Sequence, residues 1–189
     1  MRRLVVPLLA VALVAVLVIG LTQAGSKSDR PETAPEFDLQ AALRQLEGSP
    51  PKLAALHEQA SQILDSGFEK QLAALKGRPI VINKWASWCR PCRAEFPVFQ
   101  RVATDRGKEI AFLGVNAGDK RPAAEKFLTE RPLPYPSYED PNEAIAQDLK
   151  IPKFFPMTLM IDADGKTFIK SGEYTSRAEL EADIDKYLG

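Results

Sequence analysis

Polarity along the chain changes character three times. Residues 4–21, LVVPLLAVALVAVLVIGL, carry no charge and no strongly polar side chain. At a helical rise of about 1.5 Å per residue this run reaches roughly 27 Å, close to the hydrocarbon thickness of a bilayer. Arg2 and Arg3 stand before it; held on the cytoplasmic side, they would send the rest of the chain outward. A cleaved signal peptide is the rival reading, with Thr22, Gln23 and Ala24 as its small-x-small site. No cysteine follows the run to accept a lipid. Either way the remainder is expected outside the cytoplasm, held to the cell membrane by the segment or secreted without it.

Residues 22–36, TQAGSKSDRPETAPE, are polar, proline-bearing and aperiodic, the composition of a tether that has no core face to bury. Helical spacing then begins. Leu39, Leu43 and Leu46 predict one short helix, and Leu53, Leu56, Ala60, Ile63 and Leu64 predict a second. SGFE, Ser66 to Glu69, reads as a capping box that opens a helix with Phe68, Leu72 and Leu75 on its apolar face and a stop at Gly77.

Beyond Gly77 short β-branched runs alternate with helical ones. PIVINKW predicts a strand, the segment from Cys89 towards Arg106 a helix, and EIAFLGVNA a second strand. A helix from Pro122 to about Arg131, a proline-rich loop and a helix starting near Asp140 follow. MTLMID is a third strand, an Asp-Gly turn leads into TFIKSG as a fourth, and SRAE, Ser176 to Glu179, caps a last helix with Leu180, Ile184 and Leu188 on one side. The alternation predicts an α/β domain with a central mixed sheet flanked by helices. The expected boundaries are 1–21 for the anchor or signal, 22–51 for a linker that includes the first short helix, and 52–189 for the domain.

Composition narrows the partners. The 189 residues are 45% hydrophobic, enough for a sizeable core, and Lys+Arg and Asp+Glu both number 25. With no long run of one sign, the chain lacks the basic surface that nucleic acid requires.

The chemistry lies in KWASWCRPCRAEFPVF, residues 84–99, which holds the two cysteines of the chain, Cys89 and Cys92. As a staple, a disulfide across so short a loop is worth only about 2 kcal/mol. Zinc needs about four ligands; the chain offers two cysteines and His57, a histidine expected to be an ordinary helix residue, so no metal is expected. At the junction of a strand and a helix, Cys89 should sit at the helix N-terminus, where free N–H groups, the helix dipole and Arg90 favour a thiolate. Cys92, one turn deeper on the same face, is within disulfide reach and less exposed. That predicts Cys89 as nucleophile and Cys92 as resolving thiol.

NKWASWCRPCRAEFP resembles the active-site block of the thioredoxin superfamily, and most nearly its exported TlpA-like and ResA-like thiol-disulfide oxidoreductases. The resemblance runs from about Ser66 to the C-terminus and includes a segment, residues 117–150, like the helical insertion that marks this branch. It implies a thioredoxin-like fold, no bound cofactor, protein clients with disulfides or dithiols, and a membrane thiol electron donor. It places Glu95 beside the resolving cysteine as a proton acceptor, the plainer alternative being a solvated glutamate on the helix face. Asn83 stands where thioredoxin proper has a buried aspartate. FFPMTLMID resembles the cis-proline loop, so that Phe155 and Pro156 join Trp88 as client-binding residues, while Trp85 is expected in the core. The chain departs from the family at Phe154, where a glycine is common, which leaves client specificity open.

The implied direction is reductive, as in keeping cytochrome c haem-attachment cysteines reduced. A dithiol oxidase and a redox-inert binding module are the alternatives. A copper chaperone would need a histidine and wider cysteine spacing, and a peroxidase would lead with a single cysteine in another context.

Overall fold

The computed structural model describes residues 37–189, and what they build first is helical. Helix α1, Leu39–Gln45, starts on Asp38, whose carboxylate accepts from the Ala41 N–H at 2.9 Å. Gln45 donates to Asp105, and Ala42 and Leu46 are buried. Helix α2, Pro51–His57, has proline in its first turn, where the missing N–H costs nothing, and turns Leu53 and Leu56 inward.

The helix expected through Ala60, Ile63 and Leu64 ends early. Ser61 takes a left-handed φ of 59°; its hydroxyl donates to the Leu133 carbonyl at 3.0 Å and accepts from the Leu133 N–H at 2.7 Å. The chain turns there, and Ile63–Leu64 become strand β1. Partners 72 residues away outweigh the local period. The capping box at Ser66 does not form either. Gly67, at φ 88°, is the N-cap of α3, Phe68–Ala74, and the Ser66 hydroxyl goes to Asp65.

Next come β2 (Ile80–Trp85), α4 (Arg90–Arg106), β3 (Ala111–Ala117) and α5 (Arg121–Glu130), close to their expected bounds. The following segment, whose prolines predict a loop, holds strand β4, Ser137–Asp140. Its four residues show no apolar alternation, and both edges are satisfied by parallel neighbours, β3 on one side and β1 on the other. Asp140 ends that strand rather than starting a helix. Its carboxylate instead accepts from the N–H groups of Ile145 and Ala146 at 3.1 and 3.0 Å, tying down α6, Ala144–Asp148. Strands β5 (Met157–Ile161) and β6 (Thr167–Ser171) and helix α7 (Arg177–Leu188) complete the chain. Ser176 caps α7 through the Glu179 N–H, and the Glu179 carboxylate reaches the N–H of Thr175.

Among the described residues the strands form one sheet in the order β1-β4-β3-β2-β5-β6. The first four are parallel, β5 runs antiparallel to β2 and β6 antiparallel to β5, the mixed sheet of a thioredoxin-like fold. The insertion, residues 117–150, therefore supplies strand β4 as well as helices α5 and α6. Because side chains alternate along a strand, β2 sends Val81 and Trp85 to one face and Ile80 and Ile82 to the other. The first face packs on Phe96, Phe99 and Val102 of α4, Phe127 of α5 and Leu180 and Ile184 of α7. The second packs on α2, α3 and α6 through Leu53, Leu56, Phe68, Leu75 and Ala146. Trp85 stacks edge-on against Phe96 at 5.0 Å and sends its indole N–H across Gly114 to the Ser137 hydroxyl at 3.1 Å. A Cβ at Gly114 would overlap that hydroxyl, so the crossing needs glycine.

Among the described residues no helix is long and apolar enough to cross a membrane. The apolar run 4–21 and the tether 22–36 lie outside them.

Candidate active site

The site lies where β2 ends and α4 begins, at the carboxyl ends of the central strands, the usual place for chemistry in an α/β sheet. Between them, Ala86 to Cys89 are held from several sides. Asp119, in the loop after β3, accepts from the Ser87 N–H and, at 3.0 Å, from the Ser87 hydroxyl. Asn116 braces the same carboxylate, and Arg93 donates to the Ser87 carbonyl. The Trp88 indole N–H donates to the Gly118 carbonyl at 3.0 Å. None of this is visible in the spacing of the block itself.

Cys89 is the N-cap residue of α4. Its backbone is extended, its Sγ accepts from the Cys92 N–H at 3.2 Å, and Pro91 occupies the first turn. A sulfur in this position faces the free N–H groups that stabilise a thiolate. Cys92 is fully buried and Cys89 is 3% exposed. The two are joined as a disulfide with Cα atoms 5.3 Å apart.

Glu95, a turn further along α4, is not a solvated helix-face residue: it is 0% exposed. Its carboxylate accepts from Asn83 Nδ2 at 2.7 Å and from the Tyr174 N–H at 3.2 Å. Desolvation dominates these stabilising bonds and pushes the carboxyl up to about 8. Sequence reasoning missed Tyr174, which lies 79 residues away in the β6–α7 loop and carries no motif. Asn83 serves the site as a donor to Glu95. Its own Oδ1 has no hydrogen-bond partner.

The Phe155-Pro156 bond is cis. The Phe155 ring meets Trp88 edge to face at 5.1 Å, which brings the proline loop against the cysteine loop. Trp88 is 60% and Phe154 73% exposed. Trp85 is buried in the core, and His57 sits on α2. Among the described residues no group of three or more His, Cys, Asp or Glu side chains is placed to hold a metal ion.

Residues 33–187 match the Redoxin family. The chain belongs to it. Among curated relatives, this redoxin is 28% identical over 124 residues to the thiol-disulfide oxidoreductase ResA of Geobacillus kaustophilus, covering 65% of this chain and 68% of that one. It is 36% identical over 122 residues to the thiol:disulfide interchange protein CycY of Rhizobium leguminosarum, covering 62% and 64%. Against the thiol:disulfide interchange protein DsbE of Pseudomonas fluorescens, identity is 36% and the chain spans 51% of the relative's length. A secreted Mycobacterium tuberculosis disulfide oxidoreductase, described as homologous to DsbE of E. coli, superposes with a TM-score of 0.55 at 25% identity, covering 60% of the redoxin and 85% of that chain. Kinship with the thiol-disulfide oxidoreductases, expected from the cysteine block, holds.

Proposed function

We propose that this redoxin is an extracytoplasmic thiol-disulfide oxidoreductase that reduces disulfides in protein clients through Cys89 and Cys92. The observation that carries the reading is a cysteine capping the helix N-terminus, disulfide-bonded to a buried partner one turn on. Relatives named thiol-disulfide oxidoreductase and thiol:disulfide interchange protein support it. The apolar run of residues 4–21 behind Arg2 and Arg3, read as an anchor or a cleaved signal, supports the compartment, and the ResA-like resemblance supports reductive work on cytochrome c haem-attachment cysteines.

In the reduced protein the Cys89 thiolate attacks one sulfur of a client disulfide. The client's S–S bond breaks, a Cys89–client disulfide forms, and the first client thiolate leaves and is protonated. Glu95 in its ionised form then takes the Cys92 proton, and because the carboxyl titrates at about 8 that form gains population as pH rises above neutrality. The Cys92 thiolate attacks the Cys89 Sγ, and the second client thiolate leaves. Two electrons have passed from the protein to the client, and a membrane thiol donor returns them. Trp88, next to Cys89 in the chain, and Phe155, which meets it just ahead of the cis Pro156, receive the client segment.

Cys89→Ser should abolish reduction of insulin disulfides, and Cys92→Ser should accumulate mixed disulfides with clients, identifiable by mass spectrometry. Retained activity in Cys89→Ser would mean another nucleophile. A reduction potential near that of thioredoxin, about −270 mV, fits a reductant; one near about −120 mV would reverse the direction.

A further inference from the structure

Lys84 breaks the rule of its own strand. On the α2/α3/α6 face of β2 it follows Ile80 and Ile82, both in the apolar core, and like them it is shut off from solvent, at 0% exposure. Burying an ion pair is no aid to stability in itself, because desolvation cancels the attraction. What the buried ammonium does is fix geometry. It donates to Glu143 Oε2 at 2.7 Å and to the Pro152 carbonyl at 3.0 Å, so one group grips the chain on both sides of α6. Glu143 takes a left-handed φ of 58°, and Lys150, between α6 and Pro152, takes 56°. Non-glycine residues adopt that conformation at a cost, so this segment depends on outside contacts to hold it.

The same ammonium stands 4.2 Å from the centre of the Phe155 ring. Phe155 precedes the cis-proline and touches Trp88, the residue before Cys89. A cation over a ring face adds an attraction that a neutral side chain there would lack.

We propose that Lys84 is a positioning residue for client docking: it ties the insertion, through Glu143, to the loop ahead of Pro156 and holds the Phe155 ring against Trp88 beside the disulfide. The proposal rests on Trp88 and Phe155 receiving clients, as argued above. The partner it serves is an extended peptide with an apolar side chain next to its cysteine, because Trp88 and Phe154 are the large apolar side chains left exposed among the described residues.

The test uses the full chain with Lys84→Met, which keeps length and apolar bulk, and Glu143→Ala, which removes the partner without touching the strand. Two rates are compared: reduction of the Cys89–Cys92 disulfide by dithiothreitol, and exchange of the reduced protein with a cystine-bridged peptide bearing aromatic residues beside its cysteines. The ratio of the peptide rate to the dithiothreitol rate should fall about tenfold in Lys84→Met. A Phe155→Leu background should show no further loss on adding it. Acrylamide quenching gives a readout without turnover, since Trp85 is buried and the quenched fluorescence is that of Trp88. Quenching should rise in both variants. Unchanged quenching in Lys84→Met, or in Glu143→Ala should the first not fold, overturns the proposal, and so do additive losses with Phe155→Leu. A wild-type protein that exchanges with no peptide would instead sink the assigned activity, and Trp88 quenching would still decide the clamp.

Discussion

Glu95→Gln isolates the buried carboxyl one turn beyond Cys92. The substitution is sterically clean for a reason visible in the hydrogen bonds. The carboxylate accepts from Asn83 Nδ2 and from the Tyr174 N–H, while Asn83 Oδ1 is unpartnered. A glutamine can keep the Tyr174 bond on its Oε1 and donate its amide to Asn83 once that side chain flips. Only the titratable proton is lost. In the native protein this carboxyl is raised from 4.5 to about 8, chiefly by desolvation. Between those values the folded state holds a proton that the unfolded chain has released, so stability is fully present below 4.5 and declines as pH rises through 8. The slope approaches about 1.4 kcal/mol per pH unit, on the order of 5 kcal/mol across the window. Urea midpoints of the oxidised wild type and Glu95→Gln, taken from pH 4 to pH 9, should therefore diverge, with the wild type losing ground as pH rises. In stopped-flow, release of client from the Cys89 mixed disulfide should slow about a hundredfold in the variant and lose its inflection near pH 8. A stability difference that stays flat between pH 5 and pH 8, or an inflection that survives the substitution, refutes the reasoning.

Three further outcomes follow from packing. Gly114→Ala should lower stability by about 1–3 kcal/mol, read from the urea midpoint, because the added methyl overlaps the Ser137 hydroxyl beneath the Trp85 indole. Asp140→Ala should cost about 1–3 kcal/mol and speed hydrogen exchange at Ile145 and Ala146, whose N–H groups lose their acceptor; unchanged exchange there would refute the capping role. Asp119→Ala should leave the part-buried Ser87 N–H unpaired, accelerate amide exchange at Ser87 and Trp88, and slow attack by Cys89; an unaltered exchange pattern would show that Arg93 and Trp88 hold the loop alone.

The local chemistry of the site is written in adjacent residues. A cysteine at a strand–helix junction, proline in the first turn and a second cysteine three residues on can be read from the sequence, because capping and helical spacing act within one turn. The long periodic helices and the apolar central strands were legible for the same reason. Segments whose state depends on distant partners were not. Ile63 and Leu64 suit a helix face by spacing but pair with Ser137 and Tyr138 in a parallel strand. Strand β4 lacks the alternation of a strand and exists because β3 and β1 flank it. The solvent-facing alternative for Glu95 is closed off only where Asn83 and Tyr174 enclose it, and its proton affinity is a property of that enclosure. Lys84 is an ordinary polar letter in PIVINKW whose partner lies 59 residues away. Capping and spacing within a single helical turn are enough to place the reactive sulfurs. Which carboxyl is desolvated and which charge is buried depends on folding, since dielectric and hydrogen-bond partners come from segments far apart in the chain.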